Sequence, residues 1–175
     1  LTSQNPQFDF LVKYQFTYKQ FCSIVEYNEN TVRTWITKFL RDVGRKKESG
    51  RMLYSGLDCI RVGILGDTTK LSVSPVAAKM VTSAASNRIR KLMLLNKRAE
   101  LKERKEPLFM IFHNVSEKEA SGNTEYSASK LAEKYKEATQ PFLVVPVDNS
   151  YWYFKGRVIE TAIESELLPE GFTFK

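Results

Sequence analysis

From Phe16 to Arg41 the apolar positions recur at helical spacing in two short runs, interrupted by the polar stretch Glu26-Tyr27-Asn28. In the first run Tyr18, Phe21, Ile24 and Val25 fall on one side of a helix that Thr17 is placed to cap. In the second, Asn28 takes the capping position, and Val32, Trp35, Ile36, Phe39 and Leu40 share one face. The opposite face carries Asn30, Arg33, Thr34, Thr37, Lys38 and Arg41, with Thr31 at its margin. A helix seated by its apolar side, with hydrogen-bonding and cationic groups turned outward, suits the DNA major groove. On pattern alone the competing reading is an ordinary helical hairpin with a solvated face.

The flanking pattern extends this unit. Residues 1–15 read as a lead-in with a short extended piece at Phe8–Val12. After the second helix, the polar stretch 42–50 holds Arg45, Lys46 and Lys47 in a row with a glycine on each side, which gives it hairpin character. Met52 to Tyr54 follow as a short strand. Ser55 and Asp58 form a helix-start signal, and Leu57, Ile60 and Ile64 give that helix a buried stripe that Gly66-Asp67 is expected to interrupt. Ser74 and Pro75 open the next helix. From Pro75 to Lys105 there is no glycine and no further proline, so one long helix or two nearly continuous ones are predicted. Ala85, Ile89, Leu92, Leu95 and Ala99 trace its seam; Ile89, Leu92, Leu95 and Ala99 either pack on the same chain or dimerise with a second copy.

Pro107 ends the helical stretch. Leu108–Phe112 has the length and composition of a buried strand, residues 113–125 with Gly122-Asn123 read as a loop, and a helix from Ser127 turns Leu131, Tyr135 and Ala138 inward. Phe142–Val147 reads as a second buried strand, so the order predicts a right-handed βαβ crossover with parallel strands. Residues 150–168 fit either an edge strand at Tyr151–Phe154 or a helix carrying Val158, Ile159, Ala162 and Ile163, closed by Pro169-Glu170-Gly171.

Charge sharpens the division. The chain carries +7 overall, but residues 1–105 hold 20 Lys+Arg against 9 Asp+Glu, while residues 106–175 hold 7 against 11. A basic N-terminal part points to a nucleic-acid partner. No basic amphipathic stretch has the aromatic and leucine face that a membrane-surface helix needs. No apolar run approaches the roughly 20 residues of a membrane span, and the polar opening LTSQNPQ is not a signal peptide. Because the chain opens on Leu1, a short preceding start is expected. Cys22 and Cys59 sit inside apolar patterns and read as core residues of a reducing, cytoplasmic protein. His113 is the single histidine. With no Gly-rich phosphate loop, no Ser/His/Asp grouping and no metal-ligand spacing, an enzyme, a cofactor and a metal site are not expected.

Helix, turn, helix, basic hairpin and third helix is the order of a winged helix-turn-helix domain. Residues 16–65 resemble the DNA-binding domain of MerR-type transcription regulators and the related phage excisionases. Phe16-Thr17 matches the aromatic-Thr that opens the family's first helix, and Phe21-Cys22 takes the place of its Leu-Ala pair. Thr31-Val32-Arg33 matches the Thr-apolar-Arg of the recognition helix, with Trp35 at an aromatic position. Gly50 through Ser55 is similar to the end of the wing, followed by Asp58 and Arg61. Met52 stands where the family commonly has arginine, so Arg51 or the 45–47 run would supply that phosphate contact. No cysteine follows in or after the long helix, which disfavours a metal sensor.

The expected architecture is therefore α+β: a winged helix-turn-helix domain over residues 1–84, a connecting or dimerising helix over 85–106, and an α/β oligomerisation or sensing domain over 107–175. The resemblance implies a sequence-specific regulator, either a phage or mobile-element repressor or a promoter-distorting activator. It would bind double-stranded DNA as a homodimer or higher homo-oligomer at the nucleoid. Arg33 would reach a phosphate or a guanine edge, with Asn30, Thr31, Thr34, Thr37 and Lys38 beside it. Arg45, Lys46, Lys47 and Arg51 would meet the phosphate backbone, and Tyr54 would pack the wing with a further phosphate contact by its hydroxyl. An excisionase-like architectural recombination factor, and a protein-interaction module that never touches DNA, are the alternatives.

Overall fold

The computed structural model describes residues 6–95, 97–113, 115–116, 121–137, 142–168 and 172. Among the described residues it is mixed helix and sheet, 63% helical with two small three-stranded antiparallel sheets, as an α+β class requires. The chain divides into two compact units, residues 1–63 with 153–175, and residues 64–152. This division differs from the expected boundaries: 85–106 lies wholly inside the second unit, and the C-terminal third contributes to both.

The first unit opens with α1 (Pro6–Val12) and β1 (Tyr14–Phe16), followed by α2 (Tyr18–Val25) and α3 (Glu29–Lys38). Residues 8–12 are helical, not extended. Phe10 and Leu11 are both buried, and a strand would turn such neighbours to opposite faces. Thr17 caps α2 in a reciprocal capping box with Gln20. Glu26 ends α2 in the left-handed conformation (φ 56°), and the Asn28 side chain then accepts from the Asn30 N–H to start α3. Phe21, Ile24, Val25, Val32 and Trp35 are buried as the pattern requires, and Trp35 meets Tyr27 edge to face. Next come β2 (Arg45–Lys46) and β3 (Met52–Ser55), and the sheet order is β1-β3-β2, antiparallel throughout.

Ser55 then hands the chain to α4 (Gly56–Lys70). Contrary to expectation, α4 runs through Gly66-Asp67. Ile64, Leu65 and Thr68 are fully buried, and Thr68 and Thr69 bond back to Ile64 and Gly66 carbonyls; that burial outweighs a glycine penalty of about 1 kcal/mol. The C-terminal part of the long last helix, α8 (Val147–Glu164), completes the unit, so the ambiguous 150–168 stretch is helical as far as Glu164 and contains no edge strand. Phe154 sits against Gly63 so closely that a Cβ there would lie 2.4 Å from the ring. Val158 and Leu11 both lie against Gly56, where a Cβ would meet each at 3.0 Å, Gln20 donates to Ser165 at 2.7 Å, and Arg157 donates to the Ser23 carbonyl and pairs with Glu26. Cys22 and Cys59 are free thiols in this core.

The second unit contains α5 (Pro75–Met93), capped by Ser74, and α6 (Lys97–Lys105), so of the two expected arrangements, one long helix or two, it has two. Its sheet has β4 (Leu108–His113) at the centre between β5 (Ser121–Ser127) and β6 (Leu143–Val145), all antiparallel. This corrects the expected βαβ crossover. β5, the next strand along the chain, pairs antiparallel with β4, and Asn123, expected in a loop, pairs with Phe112. A polar sequence suits β5 because it is an edge strand with one neighbour. In α7 (Ala128–Glu137) Leu131 is half-buried, but Tyr135 is 73% exposed rather than inward; Ala138 and Pro169-Glu170-Gly171 lie outside the described residues. The second strand is shorter than Phe142–Val147, because Val147 already begins α8.

Within this unit lies a buried ionic cluster. Arg88 of α5, 2% exposed, donates from Nε to Asp148 at 2.8 Å, and its Nη2 meets both Asp148 and Glu103. Asp148 is fully buried and also accepts the Leu108 N–H at 2.9 Å. Burial opposes the Arg88 charge, but the two carboxylates outweigh it and raise its pKa above the ordinary arginine value.

Candidate nucleic-acid interface

The exposed surface of α3 and the β2–β3 hairpin belongs to the first unit, and the sequence sets its chemistry. Asn30, Thr31, Arg33, Thr34, Thr37 and Lys38 are all exposed on α3, as the opposite-face pattern requires. Two of them are less free than their exposure suggests. The Thr34 hydroxyl donates to the Asn30 carbonyl at 2.9 Å, and Thr37 donates to the Arg33 carbonyl at 2.8 Å. With their protons committed inside the helix, both threonines offer only acceptor lone pairs and methyl groups outward. Arg41 folds back on the helix end, its Nε donating to the Thr37 carbonyl at 3.2 Å, where a cation suits the helix dipole.

Arg45, Lys46, Lys47 and Arg51 are exposed on the hairpin. Residues 29–51 hold seven Lys and Arg against three Asp and Glu, and one of those acids, Asp42, is paired with Arg61 at 2.9 Å. The surface is therefore strongly cationic. Lys47 and Arg51 close the hairpin with a 2.9 Å backbone bond, and Gly50 turns it with a φ of 80°. An open concavity of about 590 Å³ is lined by Tyr14 with Arg45, Lys46, Lys47, Glu48 and Ser49. Met52, in the position where the resemblance places arginine, is 43% exposed on β3.

The hairpin is anchored by Asp58, which the sequence marks only as part of a helix start. Its carboxylate accepts the Ser55 N–H at 3.0 Å and the Gly44 N–H at 3.2 Å, while its own N–H donates to Ser55 Oγ. One buried carboxylate thus ties both ends of the hairpin to the first turn of α4. Burial raises its pKa above the ordinary aspartate value, against the pull of these hydrogen bonds and of Arg61. Gly44, at a φ of 84°, lies against the Tyr54 ring, where a Cβ would approach to 2.9 Å.

Tyr54 is not part of the exposed surface. It is 6% exposed, with its ring stacked on Phe21 at 4.4 Å, so it packs the hairpin on α2. Tyr18 is the residue that helical periodicity alone misassigns as plain core. It is half-buried, leans on Phe21 and Tyr54, and donates its hydroxyl to the Glu29 carbonyl at 2.6 Å. The Arg33 guanidinium lies over its ring, 5.7 Å from the centroid. Burial and the Cys22 thiol push its pKa up to about 12, with Arg33 pulling the other way, so the phenol stays a neutral donor at physiological pH.

Ile89 and Leu92, expected in a dimer seam, are fully buried in the single chain, and Leu95 and Ala99 are half-buried. Among the described residues no group of three or more His, Cys, Asp or Glu side chains is placed to hold a metal ion, and no helix is long and apolar enough to cross a membrane. No family model matches the chain, and no curated protein matches it with significant similarity.

Proposed function

We propose that the first unit is a winged helix-turn-helix domain and that the protein is a sequence-specific regulator of MerR-like type, binding double-stranded DNA. The observation that carries this reading is the order strand, helix, helix, hairpin, helix around a β1-β3-β2 sheet, with Arg33 and Lys38 exposed on α3 and Arg45, Lys46, Lys47 and Arg51 exposed on the hairpin. In this reading α3 enters the major groove and presents Arg33, Asn30, Thr31, Thr34, Thr37 and Lys38. Arg45, Lys46, Lys47 and Arg51 follow the adjacent phosphates and supply salt-dependent affinity. The threonines, with their hydroxyl protons held in the helix, suit thymine methyl groups and amino donors of cytosine or adenine.

A domain this small reads few base pairs, so the protein acts on a two-fold site as a homodimer. Ile89 and Leu92 are not its seam, because they are already buried. Titration against a random-sequence duplex at several salt concentrations tests the DNA reading: log affinity should fall steeply and linearly with log salt. Arg33→Ala should fold normally and lose most sequence-specific binding. Salt-insensitive or absent DNA binding would return the α2–α3 pair to a protein-interaction module.

A further inference from the structure

A role for Tyr18 rests on the DNA-binding reading, in which Arg33 has two available targets, a phosphate or a base edge. An arginine on an exposed helix face samples many rotamers, and fixing it in one costs up to about 2 kcal/mol. Here the side chain has a platform. Tyr18 reaches across from α2, its ring carries the guanidinium, and its hydroxyl is tied to the Glu29 carbonyl in the first turn of α3. The ring is itself braced by Phe21, in near-parallel stacking at 22°, and by Tyr54. The guanidinium carbon lies 5.7 Å from the ring centroid, within cation–π reach, and its five N–H donors form a fixed fork that matches two acceptors side by side. Arg33 also lies in the N-terminal half of α3, the part of a recognition helix that contacts base edges, whereas the hairpin already supplies cations for phosphates.

We propose that Tyr18 is a positioning residue that holds Arg33 ready to read a guanine, through O6 and N7, in the major groove. Tyr18 touches no base in this arrangement. It acts through its ring, by setting the reach of Arg33, so its loss blunts discrimination more than affinity.

The test uses the full chain, with bound sequences selected from a random duplex pool and followed by titrations on the selected and a scrambled duplex across salt. The wild type should select guanine at a position where Arg33→Ala shows no preference. Arg33→Lys, which keeps the charge without the fork, should lose the same preference. Tyr18→Leu should weaken it about tenfold, with affinity for the scrambled duplex and the salt slope unchanged. Tyr18→Phe keeps the ring and should keep the preference, and Tyr18→Leu with Arg33→Ala should be no worse than Arg33→Ala alone. A preserved guanine preference in Tyr18→Leu or in Arg33→Lys overturns the proposal. So does an equal loss on selected and scrambled duplexes, which marks Tyr18 as merely structural. A wild type that binds no duplex in a salt-sensitive way overturns the DNA reading itself.

Discussion

Replacing Arg88 with methionine isolates what the buried ionic cluster contributes. Methionine keeps most of the apolar stem and removes only the guanidinium. Asp148, fully buried, then loses its two bonds to Arg88 and keeps the Leu108 N–H at 2.9 Å, while Glu103 is free to turn to solvent. Removing one partner of a buried pair costs about 3–5 kcal/mol. The loss falls on Asp148, since Glu103 lies nearer the solvent edge. For a chain of this length, about 3–5 kcal/mol is a fall of roughly 6–20 °C in Tm. Urea unfolding gives the number directly. Adding Asp148→Asn, whose amide oxygen still accepts from Leu108, should restore most of the loss. A deficit under about 1 kcal/mol, or a double variant no more stable than Arg88→Met alone, would refute the reasoning.

Asp58→Ala should cost about 2–4 kcal/mol by stranding the Ser55 and Gly44 N–H groups, whereas Asp58→Asn keeps an acceptor and should cost far less; urea midpoints separate them. Because the Asp58 pKa is raised on folding, its contribution is fully present below the unfolded value of about 3.9 and is lost as pH rises through its folded value. The Asp58→Asn chain should therefore gain on wild type as pH is raised through that window, and a parallel pH profile would contradict the assignment. Gly63→Ala drives a methyl into the Phe154 ring at 2.4 Å, so about 1–3 kcal/mol of overpacking should exceed the helix gain of about 1 kcal/mol, with partial rescue by Phe154→Leu in thermal melts. A chain ending at Trp152 should lose both cooperative unfolding of the first unit and DNA binding, since Phe154, Val158 and Ala162 are removed from its core; amide exchange in α2 and α3 reads this out. Changing Arg45, Lys46 and Lys47 together to glutamine should reduce the log–log salt slope by up to about 3, roughly 0.9 for each phosphate no longer neutralised, in fluorescence titrations.

The features legible in the sequence are those whose causes lie within one helical turn. Thr17 with Gln20, Asn28 with Asn30, Ser55 with Asp58 and Ser74 with Ala77 each satisfy orphan N–H groups at a spacing of two or three residues, and all four helix starts are where those residues place them. The exposed face of α3 follows equally from 3.6-residue periodicity. What is not legible depends on partners far along the chain. Residues 121–125 look like a loop because their polarity is read without the neighbouring strand, yet pairing with β4 fixes them as a strand. Gly66 looks like a helix stop because its penalty is local while the burial that overrides it is not.

Tyr18 shows how the two kinds of information meet in one residue. Helical spacing places it on the inward side of α2, and that placement conceals its chemistry. Its hydroxyl finds a partner eleven residues on, at Glu29, and its ring takes the Arg33 cation. A signal is present: at the edge of an apolar stripe an aliphatic side chain needs no partner, whereas a tyrosine brings a hydroxyl that must be satisfied when half-buried. Only the three residues 26–28 separate α2 from α3, so a first-turn carbonyl of α3 comes within reach of the hydroxyl. The same adjacency brings the following turn, and with it Arg33, over the ring. The tight turn that makes α2 and α3 a pair is thus also what turns a core tyrosine into a support for the exposed face.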